Sequence, residues 1–180
     1  MFKKFVFVLL SLVLSFSATP VHATSHAKSL SNLGANDIMF AQLMIPHHQQ
    51  AIAMSNTALK NGAGPEVKVL ARAIISAQKK EILQMKYWLT ATKSPAAMAH
   101  DMGMNGMLDD SEIKILGTLL GKKFDKFYLE AMIKHHLGAL EMVSYLKATK
   151  NSEAKNLEKD IRTAQSGEIS TMKRMLSKLG

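Results

Sequence analysis

Cysteine is absent from the 180-residue chain. A disulfide framework, a thiolate metal site, an iron–sulfur cluster and a cysteine nucleophile are therefore excluded. Any metal has to be held by His, Met, carboxylate or main-chain oxygen. Aromatic residues are scarce, at 6%, and the 23 Lys and Arg are scattered along the chain and not clustered, so no nucleic-acid partner is expected. Long apolar runs are missing too. Phe5–Phe16 is shorter than the ~18–20 residues that cross a bilayer, so no stable membrane insertion is expected. Catalytic triads, phosphate loops, dinucleotide fingerprints and the Glu-x-x-His motif are not found.

At the N-terminus, Lys3 and Lys4 precede that apolar run, and Val21-His22-Ala23 supplies small residues at cleavage positions. Residues 1–23 read as a signal peptide cleaved near Ala23, which places the protein in the periplasm or outside the cell. Loss of Lys3 and Lys4 leaves 21 Lys and Arg against 14 Asp and Glu. The mature chain is then basic, and its length suits one core. Residues 24–36, with His26, form a flexible tail, and 37–180 form the folded domain.

That domain repeats itself. Asp37–Met54 aligns with Asp125–Met142 at an offset of 88 residues, sharing Met-Ile-x-His-His-x-x-Ala-x-x-Met. Glu66, Leu70, Ile74, Gln78, Glu81, Met85 and Leu89 recur as Glu153, Leu157, Ile161, Gln165, Glu168, Met172 and Leu176. Repeat 1 spans 37–91, a link spans 92–123 and repeat 2 spans 124–179.

Apolar spacing and turn residues predict helices at about 37–60, 65–91, 124–149 and 152–179. Asn36 is expected to cap the first and Pro65 to open the second. Pro46 is expected to kink the first helix or to start a new one. Asp109-x-x-Glu112 signals a short helix in the link. The fold class is all-α, a four-helix bundle of ferritin-like type built from a duplicated hairpin with a Met-rich central link.

At about 100° per residue, His47 and His48 fall on the apolar side of the first helix, as His135 and His136 do on the third. Neighbouring histidines diverge, so each faces a different helix. Gln78 and Glu81, and again Gln165 and Glu168, lie on the apolar stripes of the other helices. A carboxylate there needs a polar partner, and the imidazoles supply one. The constellation suits a transition metal, with Glu81 and Glu168 as ligands or as supports for the rings. The competing reading is of buried histidines that only fix helix register.

Six of the 13 Met, namely Met39, Met54, Met85, Met142, Met172 and Met175, sit at core spacing, where Met fills gaps. Met44 and Met132 stand out because each precedes a His pair by one turn. The link carries Met98, His100, Met102, Met104 and Met107, a density that suits thioether capture of Cu(I) or Ag(I), or a lid packed on the bundle. Tyr87, Trp88 and Phe127 are candidates for a homodimer face.

Met44-Ile-Pro-His-His-Gln-Gln-Ala-Ile-Ala-Met54, Gln78–Met85, Gly106-Met107 and Met132-Ile-Lys-His-His-Leu-Gly-Ala-Leu-Glu-Met142 resemble the domain of unknown function 305 family. The resemblance runs from about Asp37 to Leu176. It implies a ferritin-like four-helix fold in exported bacterial proteins, some of them similar to a periplasmic protein that binds copper. By position it makes Met44, His47, His48, Met132, His135 and His136 ligands, followed by Met54 and Met142. Gln50 stands where repeat 2 has Gly138, so the two halves need not bind alike.

The leading expectation is a periplasmic copper-binding protein, not an enzyme, that sequesters Cu(I) or Cu(II) or exchanges it with a donor or acceptor protein. One rival is a ferritin-like di-metal oxidase or peroxide-consuming enzyme. Another is a metal-free interaction protein that responds to pH or stress.

Overall fold

The computed structural model describes residues 30, 32–61, 64–98 and 104–179. The segment expected to be a signal peptide, most of the N-terminal tail, His100 and Met102 lie outside the described residues. Helix α1 (Ala35–Lys60) and α2 (Pro65–Ala91) make the first hairpin. The link contains α3 (Asp110–Thr118), and α4 (Gly121–Met142), extended by a 3-10 turn at Val143–Leu146, pairs with α5 (Ser152–Leu179). No strand occurs among the described residues, so the all-α four-helix expectation holds.

Local chemistry explains most helix ends. Pro65 opens α2, where its missing amide costs nothing. Asp109 and Glu112 form the expected capping box: Glu112 N–H donates to Asp109 Oδ1 at 2.8 Å, and Asp109 N–H donates to Glu112 Oε2 at 3.0 Å. Asn151 caps α5 by accepting from Ala154 N–H at 3.0 Å. Three expectations need correction. The cap of α1 is Gly34 and not Asn36, because the Asp37 carboxylate reaches back to accept from Gly34 N–H at 2.8 Å. Helix α4 starts at Gly121 and stops being α-helical at Met142, the last turn tightening to 3-10 around buried Val143 and Leu146. No new helix starts at Pro46, since α1 runs unbroken through it. The ring removes one main-chain hydrogen bond, while buried residues on both sides, Met44, Ile45 and Ala51, tie both halves to the core.

The core divides in two. One apolar cluster takes Phe40–Ile45 from α1, Ile82–Leu89 from α2, Ala139 and Met142 from α4, and Ala154–Ile161 from α5. The other takes Ala51–Ala58, Val67–Ile74, Phe124–Met132 and Ile169–Met175 from the same four helices. These positions make α1 antiparallel to α2 and to α4, and α4 antiparallel to α5. The link therefore has to run the length of the bundle. Met98 and Met104 pack on the first cluster, whereas Leu108 and Leu116 belong to the second. It travels along the side, not over the end.

Symmetry between the halves is imperfect in a compensated way. Tyr128 and Ser55 hydrogen-bond at 2.8 Å in the buried second cluster, while their counterparts in the first cluster are Phe40 and Val143. Tyr87, Trp88 and Phe127 do not share one exposed face. Trp88 is fully buried, with its indole N–H donating to Glu153 Oε2 at 3.2 Å, and only Tyr87 of the three is well exposed.

Candidate metal centre

Between the two apolar clusters lies a polar layer. Its members are His47 and His48 on α1, Gln78 and Glu81 on α2, His135 and His136 on α4, and Gln165 and Glu168 on α5. All four histidines have no exposed surface, and both glutamines are buried. The sequence placed them there correctly, because each helix contributes two polar residues at one level of an otherwise apolar stripe.

The divergence of adjacent histidines has a specific result. His48 donates its Nε2–H to Glu81 Oε2 at 2.6 Å, and His136 donates to Glu168 Oε2 at 2.7 Å. Each is a pair within one repeat. His47 and His135 instead meet across the repeats, ring centroids 3.7 Å apart and planes 38° inclined. His47 Nε2–H donates to the main-chain carbonyl of Asn105 at 3.3 Å. Each of these three rings thus has a proton placed on Nε2 by an oxygen that can only accept, so that the neutral form of the ring carries its lone pair on Nδ1. His135 makes no hydrogen bond through either nitrogen.

Among the described residues, ten buried side-chain nitrogen and oxygen atoms have no hydrogen-bond partner, and nine of them belong to this layer. They are Nδ1 of His47, His48, His135 and His136, Nε2 of His135, and both amide atoms of Gln78 and Gln165. An unmet buried polar atom costs on the order of 1–3 kcal/mol. Burial and the adjacent His48 push His47 down to about 3, and burial with the surrounding imidazoles holds His135 well below its usual range. Both rings are therefore neutral at pH 7, the form that binds a metal without displacing a proton.

The thioethers stand on either side. Met44 and Met142 belong to the first cluster and Met132 and Met54 to the second, all buried. Met98, Met104 and Met107 are half-buried along the link. No group of three or more His, Asp or Glu side chains is gathered to hold an ion among the described residues. An ion at this layer needs sulfur or amide oxygen beside nitrogen.

One contributor escaped the sequence reading. Asn105 offers a main-chain carbonyl, which has no sequence signature, and Gly138 is the reason that it can. A Cβ on Gly138 would lie 1.8 Å from that carbonyl oxygen, and one on Gly106, at φ +85°, would lie 2.4 Å from Lys134 O. Opposite Gly138, Gln50 clasps the same strap: its Nε2 donates to Leu108 O at 2.9 Å and its Oε1 accepts from Leu108 N–H at 2.8 Å. The Gln50/Gly138 difference between repeats is thus a clasp and a gap for one strap.

The fold and site define an all-α bundle duplicated around a buried imidazole layer. Residues 37–176 match the family described as Domain of unknown function (DUF305), and the chain belongs to that family. Among solved structures, the DUF305 protein of Streptomyces coelicolor is 33% identical, with TM-score 0.77 over 81% of this chain and 94% of that one. CopM in its Cu(I)-bound form is 38% identical, with TM-score 0.66 over 79% and 96%. CopM in its Cu(II)-bound form is 37% identical, with TM-score 0.70 over 80% and 97%. CopM has also been solved with Ag bound. No protein of curated function matches the chain. Among the described residues, no helix is long and apolar enough to cross a membrane.

Proposed function

We propose that this protein is an exported copper-binding protein that sequesters Cu(I), and Cu(II), or passes it to a partner, and so contributes to copper tolerance. The observation that carries this reading is the concentration of unpartnered buried nitrogens in one layer between thioether-bearing clusters. Neutral imidazole and thioether together favour Cu(I), and CopM, similar over most of the chain, binds Cu and Ag. His47 and His135 are the proposed central ligands. His48 and His136 are oriented by Glu81 and Glu168, and thioethers come from Met44, Met132 or Met54. The Met-rich link, including His100 and Met102, supplies further sulfur and imidazole. The role needs no nucleophile.

The test is an anaerobic Cu(I) titration of the chain from Thr24 against a chromogenic chelator. Stoichiometric uptake by the wild type and its loss in His135→Ala/His136→Ala is the expected result, with circular dichroism still helical. Unchanged uptake in that variant would remove these residues from the site. Glu168→Gln should weaken affinity about 10–100-fold, the effect of losing a group that orients a ligand. Complete loss would make Glu168 itself a ligand.

A further inference from the structure

A surface pocket of about 390 Å3 adjoins the strap, lined by Leu43, Met104, Asn105, Glu141, Met142 and Tyr145 among others. It differs in donors from the other large grooves. The groove at Ile45, Pro46 and Lys86 has no thioether, and the one at Val69 has a single thioether, Met175, with Glu66 beside two cations, Arg174 and Lys178. Here two thioethers and a carboxylate share one opening. A soft monovalent cation is the species that such a set accepts: sulfur supplies the preference and Glu141 the opposing charge.

The pocket is connected to the buried layer by named contacts. Glu141 Oε2 accepts from Asn105 Nδ2 at 2.7 Å. The carbonyl of the same Asn105 accepts from His47 Nε2–H, and the His47 ring lies tilted against His135. A cation that draws Glu141 toward itself removes the acceptor that holds the Asn105 side chain. The strap then loses one fastening and keeps the His47 contact at Asn105 O, the Gln50 clasp at Leu108 and its packing on Gly138 and the apolar clusters. The residue that meets the ion at the surface is thus the residue that fastens the cover.

We propose that this pocket is the port by which Cu(I) reaches the imidazole layer and that the Asn105–Leu108 strap is the gate it opens. The inference rests on the copper reading of the layer. By microscopic reversibility the port serves exit as well, so the rate of release into excess chromogenic chelator reports on it.

The experiment loads the chain with Cu(I), mixes it with excess chelator and follows the colour. Gln50→Ala, which removes both hydrogen bonds to Leu108, is expected to release about tenfold faster, as loss of one to two net hydrogen bonds predicts. Glu141→Gln and Met104→Leu/Met142→Leu are expected to release more slowly than the wild type. Gln50 and Glu141 are partly or largely exposed, so these variants test the proposal even if the methionine pair does not fold. Wild-type rates in Gln50→Ala and Glu141→Gln, with Cu(I) still bound by the parent, would overturn port and gate and leave the copper reading standing. Faster release from the methionine variant would make those sulfurs ligands of the final site and remove the port. A parent chain that takes up no Cu(I) would end both readings.

Discussion

Acidification from pH 7 to pH 4 is expected to cost the metal-free protein about 3 kcal/mol at His47, an order-of-magnitude figure from the linkage of pKa to stability, with a further loss of the same sign at His135. Their folded values lie below the unfolded imidazole value of 6.5, His47 at about 3 and His135 well below 6.5, with burial the first cause in each. A depressed value means that the folded state resists the proton while the unfolded chain accepts it. The stability is therefore fully present above pH 6.5 and declines as pH falls toward the folded value, at roughly 1.4 kcal/mol per pH unit per ring. Urea midpoints measured at half-unit pH steps on metal-free protein would show the slope. His135→Gln should remove its share. A midpoint that stays flat from pH 7 to pH 4 would mean that the rings reach water in the native state. Since whole domains are held by only ~5–15 kcal/mol, the apo bundle is expected to be acid-labile whatever it binds.

Gly138→Ala is expected to destabilise the protein by about 1–3 kcal/mol or more, the range for overpacking a close contact, although Ala is the better helix former. The added methyl would stand 1.8 Å from Asn105 O and 2.6 Å from the carbonyl carbon, both main-chain atoms that no rotamer change can move. The strap has to lift, which takes the acceptor away from His47 and strains the Gln50 clasp. Gly167, inside α5 with nothing within 4 Å of its Cβ position, is the internal control. Its replacement by Ala should stabilise by ~0.5–1 kcal/mol, as an unobstructed helical glycine allows. Urea denaturation of both variants, with limited proteolysis between residues 98 and 110, reads the contrast. A Gly138→Ala protein as stable and as protease-resistant as the Gly167→Ala protein would show that the strap does not sit on α4.

The helices were legible because their signals are local. Pro65, the Asp109-x-x-Glu112 box and the apolar spacing need no knowledge of the rest of the chain. The layer was legible for a different reason: a repeated Gln-x-x-Glu on an apolar stripe asks for a polar partner, and the repeated His-His provides it. The partition of roles between His47 and His48 was only half legible. The helical angle says that adjacent rings diverge, but which one meets the other repeat depends on how four helices pack. Trp88 and Tyr87 show the same limit, since neighbouring aromatics on α2 end up one buried and one exposed. Asn105 was not legible at all, because its contribution to His47 is a main-chain carbonyl and its position depends on two glycines and on a glutamine far away in sequence.

Those asymmetries bear on how such a chain could have arisen. Two copies of one ancestral hairpin, meeting as a homodimer, would rebuild the stratum of imidazoles and glutamates, since each repeat brings two histidines, a glutamine and a glutamate. They would not rebuild its cover. With glutamine at both positions there is no gap for the strap, and with glycine at both there is no clasp. In the single chain one connecting segment meets two equivalent positions that differ, Gln50 as its clasp and Gly138 as its gap. In this sense the covered form of the layer belongs to the fused chain alone, and any ancestor made of free hairpins would have carried its histidines open on that side.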